Sequence, residues 1–224
     1  MNQHLIIVAG GTGTRMNSDM PKQFLDIKGK PVIIRTIERF LAFNPRLSMV
    51  LVIHPDFETH LQTLLETFLP QVVNIRLTQG GSSRFESVKN GLRLLQGESG
   101  VVGIHDAARP FVSVKTITNC YQTAAKLGNA TPCVAIHESL RQVNESGSSV
   151  VNRDKYKIIQ TPQCFDLSLI QQAFGQAYSP SFTDDATVFE TTGHKINLVE
   201  GNIENIKITG PSDLIIAKAF CDHE

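Results

Sequence analysis

"LIIVAGGTGTRMNSDMPKQF", residues 5–24, runs five apolar residues straight into Gly10, Gly11 and Gly13, then places Arg15 and Lys22 seven positions apart. A strand covered on both faces of a parallel sheet is apolar throughout, and glycines just beyond it let the backbone come close to whatever lies there. The same rhythm continues down the chain. "MVLVI" (49–53), "VNIRL" (73–77), "VVGIH" (101–105) and "TPCVAI" (131–136) read as further strands. Between them lie helical stripes: Ile33, Ile37, Phe40 and Leu41 after Pro31, a residue suited to a first helical turn; Phe57, Leu61, Leu64, Leu65 and Phe68; and Phe85, Val88, Leu92 and Leu95. Ser113 can cap a fourth helix carrying Ile117, Cys120, Tyr121 and Ala124. Strands alternating with helices predict an α/β fold, a mostly parallel sheet with right-handed crossovers. Ligands in such folds collect outside the carboxyl ends of the strands, so the turns after each strand are where a site is expected.

Between residues 137 and 161 the alternation stops. "NESGSS" separates the β-prone runs "SLRQV" and "SVVNR", a hairpin pattern that would project from the sheet as an arm. Afterwards Asp166 can cap a helix with Leu169, Ile170, Ala173 and Phe174; "KINLV" and "NIKIT" read as strands, and "PSDLIIAKAF" as a closing helix. The chain of 224 residues is expected to form one domain, 1–224, with the arm as an insertion.

The 21 basic and 21 acidic residues cancel, which argues against a protein that coats nucleic acid or an anionic membrane. Any anion site must be local. The apolar runs are far shorter than the roughly 20 residues that cross a bilayer, and "MNQHLIIVAGG" lacks the basic segment and cleavage site of a signal peptide. The cytoplasm is the expected location. Cys120, Cys133, Cys164 and Cys221 stand far apart, without metal-ligand spacing, and read as free thiols.

Strand, glycine turn and basic residues together describe a phosphate cradle, in which backbone N–H groups approach an anion and cations neutralise it. "GGTGTRM" has neither the GK[ST] ending of a P-loop nor G-x-G-x-x-G spacing. Three more clusters fall at expected strand ends. "GGSSRFESV" (80–88) opens a helix, and its amides and hydroxyls could meet a base or sugar, although Ser82 or Ser83 could equally be a plain helix cap. In "HDAARPF" (105–111), Asp106 can hold a metal ion or ribose hydroxyls and Arg109 can fork onto a phosphate, the alternative being a structural Asp–Arg ion pair. "ENIKIT" (204–209) sets Lys207 in a β-prone run, either facing an anion or protecting a sheet edge.

"AGGTGTRM", "PKQF", "HDAARPF", "QTPQ", "TDDA" and "EGNIENIKIT" stand in the order and spacing of the 2-C-methyl-D-erythritol 4-phosphate cytidylyltransferases, and the chain resembles that family from residue 5 to about 219. The resemblance implies a Rossmann-like nucleotidyltransferase fold, dependence on Mg²⁺, and a homodimer in which each arm reaches over its neighbour. The implied reaction joins CTP to a phosphorylated polyol and releases pyrophosphate. Arg15 and Lys22 would stabilise charge on the pentacoordinate phosphorus. Ala9, Gly10, Gly11 and Gly13 would wrap the nucleotide, and Gly81, Ser82 and Ser87 would contact cytosine or its ribose. Asp106 would face ribose, metal and acceptor; Arg109, Thr183 and Lys207 would surround the acceptor. Ser139 and Arg153 would reach into the partner's site, with Arg153 and Lys207 setting the line of attack. Ser82 replaces an acidic residue common in the family, and Ser139 a common threonine. Ribitol-5-phosphate cytidylyltransferases share the CTP-binding motifs and differ in acceptor. A silent nucleotide-binding module on the same fold would be expected to lack Arg15, Lys22 or Asp106, and all three are present.

Overall fold

The computed structural model of the chain describes residues 1–11 and 20–222. In chain order its elements are β1 (Gln3–Ala9), β2 (Asp26–Ile27), β3 (Lys30–Pro31), α1 (Val32–Phe43), β4 (Ser48–Ile53), α2 (Glu58–Phe68), β5 (Ile75–Gln79), α3 (Arg84–Arg93), β6 (Val101–Asp106) and α4 (Val114–Leu127). There follow β7 (Asn129–Ala135), β8 (Arg141–Asn144), β9 (Gly147–Val150), β10 (Lys157–Ile159), β11 (Gln163–Asp166), α5 (Leu167–Ala173), α6 (Asp185–Glu190), β12 (Leu198–Glu200) and α7 (Pro211–Phe220).

The central sheet runs β10-β7-β11-β6-β1-β4-β5, with β12 added beside β7. Strands β6, β1, β4 and β5 are parallel, and β11 lies antiparallel between β6 and β7. Alternation along β1 divides the core. Leu5, Ile7 and Ala9 join Ile33, Ile37 and Phe40 of α1, Leu61 of α2 and Ile117 of α4 on one face; Ile6 joins Val88 and Leu92 of α3, Ile170 of α5 and Phe189 of α6 on the other. This two-sided cover is why these strands read as unbroken apolar runs. Register then levels their ends: Val8 lies opposite Asp106 and Val52, and Ile53 opposite both Ala9 and Gln79.

The predicted arm is present as β8 and β9, paired antiparallel from Arg141↔Val150 to Asn144↔Gly147 and exposed throughout. Its turn is tighter than "NESGSS" suggests, because Asn144 Oδ1 accepts from the Ser146 N–H and closes the loop locally. Ser113 and Asp166 cap α4 and α5 as expected. Two expectations need correction, and one helix is new. "NIKIT" is not a strand: its one backbone bond to the neighbouring turn runs from Ile208 N–H to Ala108 C=O, 2.9 Å, so no ladder forms. Pro31 precedes α1 as its cap position instead of entering the first turn. Helix α6 went unforeseen; its six residues are too few for a periodic stripe to show. Among the described residues, no helix is long and apolar enough to cross a membrane.

Candidate active site

At the levelled carboxyl ends of β1, β4, β5 and β6 a cleft of about 590 Å³ opens, bounded by Ala9, Gly10, Gly11, Lys22, Gly81, Ser82, Ser87, Asp106 and Lys207, with Gln23, His54 and Arg84 among the other lining residues. Its two ends differ in character. Beyond β1 and β5 it is lined by glycine and serine; over β6 it gathers charge.

The glycine–serine end depends on bare backbone. A Cβ on either Gly10 or Gly80 would stand 3.3 Å from Ser87 Oγ, which would have to give way. A Cβ on Gly81 would collide with Glu86 Cβ. Ser87 knits this turn together: its Oγ accepts from the Gly81 N–H at 3.1 Å and donates to the Ser83 C=O at 2.9 Å. Ser83 in turn caps α3, accepting from the Glu86 N–H at 3.1 Å. Below the glycine turn, the buried Gln23 side-chain amide donates to the carbonyls of Ala9 (2.7 Å) and Gly11 (3.1 Å). Because Gln23 lies in the short helix Lys22–Phe24, the same bonds fix where Lys22 starts.

The charged end centres on Asp106. Lys207 Nζ lies 2.9 Å from its Oδ2, Arg109 Nε 3.4 Å from Oδ2 and Arg84 Nε 3.5 Å from Oδ1. Burial alone would raise the Asp106 pKa, but Arg84, Lys207 and Arg109 outweigh it and hold the carboxyl well below the usual carboxylate range. Lys207 owes its aim to its neighbour. Ile208 is buried with Ala108, Phe111 and Ala217, and in an extended segment consecutive side chains point opposite ways, which turns Lys207 toward the cleft. Arg109 is anchored separately, donating to the Asn205 C=O at 2.8 Å. Arg84 makes a two-pronged pair with the fully buried Asp185, at 2.7 and 2.6 Å. Burial opposes charge on Arg84, yet Asp185 and Asp106 outweigh that and raise its pKa above the ordinary value.

Beneath Asp106 lies a hydrogen-bond chain whose directions can be assigned. His105 Nε2 is 3.1 Å from the Arg109 C=O, which only accepts, so the ring proton sits on Nε2. Nδ1 must then accept from Thr161 Oγ1, 3.0 Å away, while the same Oγ1 accepts from the Asp106 N–H at 3.1 Å. Burial lowers the His105 pKa to about 4, keeping the ring neutral near pH 7. His105 and Thr161 thus hold both ends of the turn carrying Asp106 and Arg109.

The structure therefore gathers Ala9, Gly10, Gly11, Lys22, Gly81, Ser82, Ser87, Asp106 and Lys207 around one cleft, with Arg109 bonded to it from behind. Arg15 and Gly13 lie outside the described residues. Thr183 stands just before α6, exposed, its hydroxyl 3.2 Å from that of Thr187. Ser139 and Arg153 sit on the exposed arm segment away from this chain's own cleft, Arg153 donating to the His137 C=O. Sequence reasoning passed over Gln23, Arg84, His105, Thr161 and Asp185. All of them fall in motifs it had quoted ("PKQF", "GGSSRFESV", "HDAARPF", "QTPQ", "TDDA"), where a residue gives no sign of its distant partner.

A family model described as 2-C-methyl-D-erythritol 4-phosphate cytidylyltransferase matches residues 3–223. A protein of that name from Phocaeicola vulgatus is 46% identical over 220 residues, spanning 98% of this chain and all of that one. One from Bacteroides fragilis is 47% identical over 215 residues, 96% and 97% of the two chains. The crystal structure of 4-diphosphocytidyl-2C-methyl-D-erythritol synthase from Anaerococcus prevotii superposes with a TM-score of 0.84 at 28% identity, over 99% of this chain and 96% of the other. That of the Thermus thermophilus cytidylyltransferase gives 0.77 at 27% identity, over 99% and 100%. With a Rossmann-like fold, a charged cleft at the strand ends and matches of this extent, the chain belongs to the 2-C-methyl-D-erythritol 4-phosphate cytidylyltransferase family of nucleotidyltransferases.

Proposed function

We propose that the chain transfers the cytidylyl group of CTP to the phosphate of 2-C-methyl-D-erythritol 4-phosphate, yielding 4-diphosphocytidyl-2-C-methyl-D-erythritol and pyrophosphate. The observation that carries this reading is the two-ended cleft: a glycine–serine end beside a charged end where Lys207 pairs with Asp106, with Lys22 lining the same cleft. In the reaction an acceptor phosphate oxygen attacks the α-phosphorus in line, and the bond to the bridging oxygen of the leaving pyrophosphate breaks. The acceptor needs no side-chain base, since a phosphomonoester's second pKa is about 6. The protein's work is to bring two anions together and to meet charge as it develops.

In this assignment Lys22, together with Arg15, stabilises the α-phosphate in the transition state. Ala9, Gly10, Gly11 and Gly13 present backbone to the nucleotide, and Gly81, Ser82 and Ser87 receive the base and ribose. Arg109, Thr183 and Lys207 receive the acceptor. Magnesium fits as a companion of the nucleotide, because Asp106 is the carboxylate among the cleft-lining residues and Mg²⁺ is content with one or two carboxylates plus phosphates and water. Among the described residues no trio of His, Cys, Asp or Glu could hold an ion alone. Asp106 would hold it, and the bound ion would offset charge on the phosphate oxygens. Ser139 and Arg153 act across a homodimer, where the exposed arm reaches the partner's acceptor. The free cysteines suit a reducing compartment, and we assign the chain to the cytoplasm.

The test is pyrophosphate release from CTP and Mg²⁺ with 2-C-methyl-D-erythritol 4-phosphate and D-ribitol 5-phosphate run side by side, with UTP and ATP as controls. Turnover with the first acceptor alone is expected. Turnover with ribitol phosphate instead would overturn the acceptor assignment.

A further inference from the structure

Arg84 is the one cation at Asp106 to which no role in the reaction is assigned above, and its main partner is elsewhere. It opens α3, directly after the glycine–serine turn, and its guanidinium forks onto Asp185, the first residue of α6, while Nε stays 3.5 Å from Asp106. The start of α6 is held from a second direction by Gln163 of β11, whose Nε2 donates to Asp184 Oδ2 and whose Oε1 accepts from the Ala186 N–H, both at 2.8 Å. Asp184 caps the helix, accepting from the Thr187 N–H at 2.9 Å. Three segments distant in sequence, 80–84, 106 and 183–186, thus meet at one guanidinium.

A two-pronged pair between a planar fork and a carboxylate fixes angle as well as distance, which a lysine cannot do. Asp185 is fully buried, so it has no water to turn to if the fork is lost. We propose that Arg84 and Asp185 are positioning residues, a strap that holds Asp106 and the Thr183 turn at a fixed separation from the nucleotide loop. The strap rests on the function proposed above in one respect: Thr183 is taken to face the acceptor. Misplacing the Thr183 turn by an ångström or so would be felt at the acceptor before it is felt at the base and ribose, whose end of the cleft is organised by Ser87 and Gln23.

The experiment uses the full chain as wild type, Arg84→Lys, Asp185→Asn and Asp185→Glu. CTP and the acceptor are each varied at saturation of the other, with CTP Kd and Tm measured alongside. Arg84→Lys keeps the charge, so the protein is not left with a buried carboxylate lacking any cation. It should raise the acceptor KM and lower kcat by up to about 10²-fold, the scale of a small misplacement, with CTP Kd close to wild type. Asp185→Asn should show the same pattern and Asp185→Glu should recover part of it. Wild-type acceptor KM and kcat in Arg84→Lys would overturn the strap, as would a fall in Tm with both KM values unmoved. Hydrogen exchange decides the strap whatever the acceptor proves to be: Arg84→Lys should speed exchange in peptides covering 183–187 and 104–109 but not in α4, and uniform protection would overturn it. Absence of turnover by wild type would count against the proposed reaction alone.

Discussion

Lowering the pH from 7.5 to 5 should cost the folded protein about 2 kcal/mol through His105 alone. The ring is fully buried, donates from Nε2 to a carbonyl that cannot reverse roles, and accepts at Nδ1 from Thr161, so a second proton would leave a charged ring away from water. Burial lowers its pKa to about 4, against 6.5 for an exposed imidazole. Between those values the unfolded chain binds a proton that the native state refuses, so stability rises with pH across that window and is lost as pH falls through it. Each unit of separation corresponds to about 1.4 kcal/mol, giving about 2 kcal/mol by pH 5 and about 3 kcal/mol once the folded pKa is passed. Asp106 contributes in a different window: its depressed pKa adds stability above the unfolded carboxylate value that disappears only below roughly pH 4. Urea denaturation at one protein concentration across pH 5–7.5 would measure the slope in wild type and in His105→Asn. The substitution should lower stability at pH 7.5 yet flatten the dependence on pH. An equal slope in the two proteins would refute the reasoning.

Lys22→Ala and Lys207→Ala should each lower kcat by on the order of 10²-fold or more, as expected for lost transition-state charge stabilisation, Lys22→Ala with little change in Tm and Lys207→Ala with a fall, because it removes one of the cations paired with buried Asp106; steady-state kinetics with thermal melts would check both. Thr161→Val should destabilise by about 1–3 kcal/mol for each buried partner left unpaired, the Asp106 N–H and His105 Nδ1. Thr161→Ser should restore most of that in the same denaturation assay. If arms serve the partner's site, mixing Arg153→Ala with Lys22→Ala subunits should regain activity that neither variant has alone; a mixture no more active than the sum of its parents would argue against sharing.

The strands and the principal helices were legible because a sheet covered on both faces demands apolar runs, and helices packed on it demand stripes. The cationic cleft was legible for a related reason: lysine and arginine beside glycine at a strand end are costly to place without use. What stayed hidden were contacts between distant residues. Nothing in "RFESV" announces that Arg84 will meet Asp185, and nothing in "QTPQ" says that Thr161 will hold the Asp106 amide. "NIKIT" misled because its alternation is real, with Ile208 inward and Lys207 toward Asp106. Side-chain amides take the place of strand pairing there, Asn205 Nδ2 donating to the Thr161 C=O at 2.8 Å and Gln160 Nε2 to the Asn202 C=O at 2.8 Å. Period alone cannot distinguish a ladder from such a docked segment.

The Gln23 amide has a consequence for what binding must cost. Gln23 lies twelve positions after Gly11, yet donates to both the Ala9 and Gly11 carbonyls. It therefore ties the glycine turn to the short helix that carries Lys22. Holding together two points of a chain twelve positions apart costs about 2 kcal/mol of chain entropy beyond a constant. Here that cost falls at folding, drawn from the same reserve that orders the core. A nucleotide arriving at the glycine turn finds Gly11 and Lys22 already held together, so the free energy of its contacts is left for holding the phosphates.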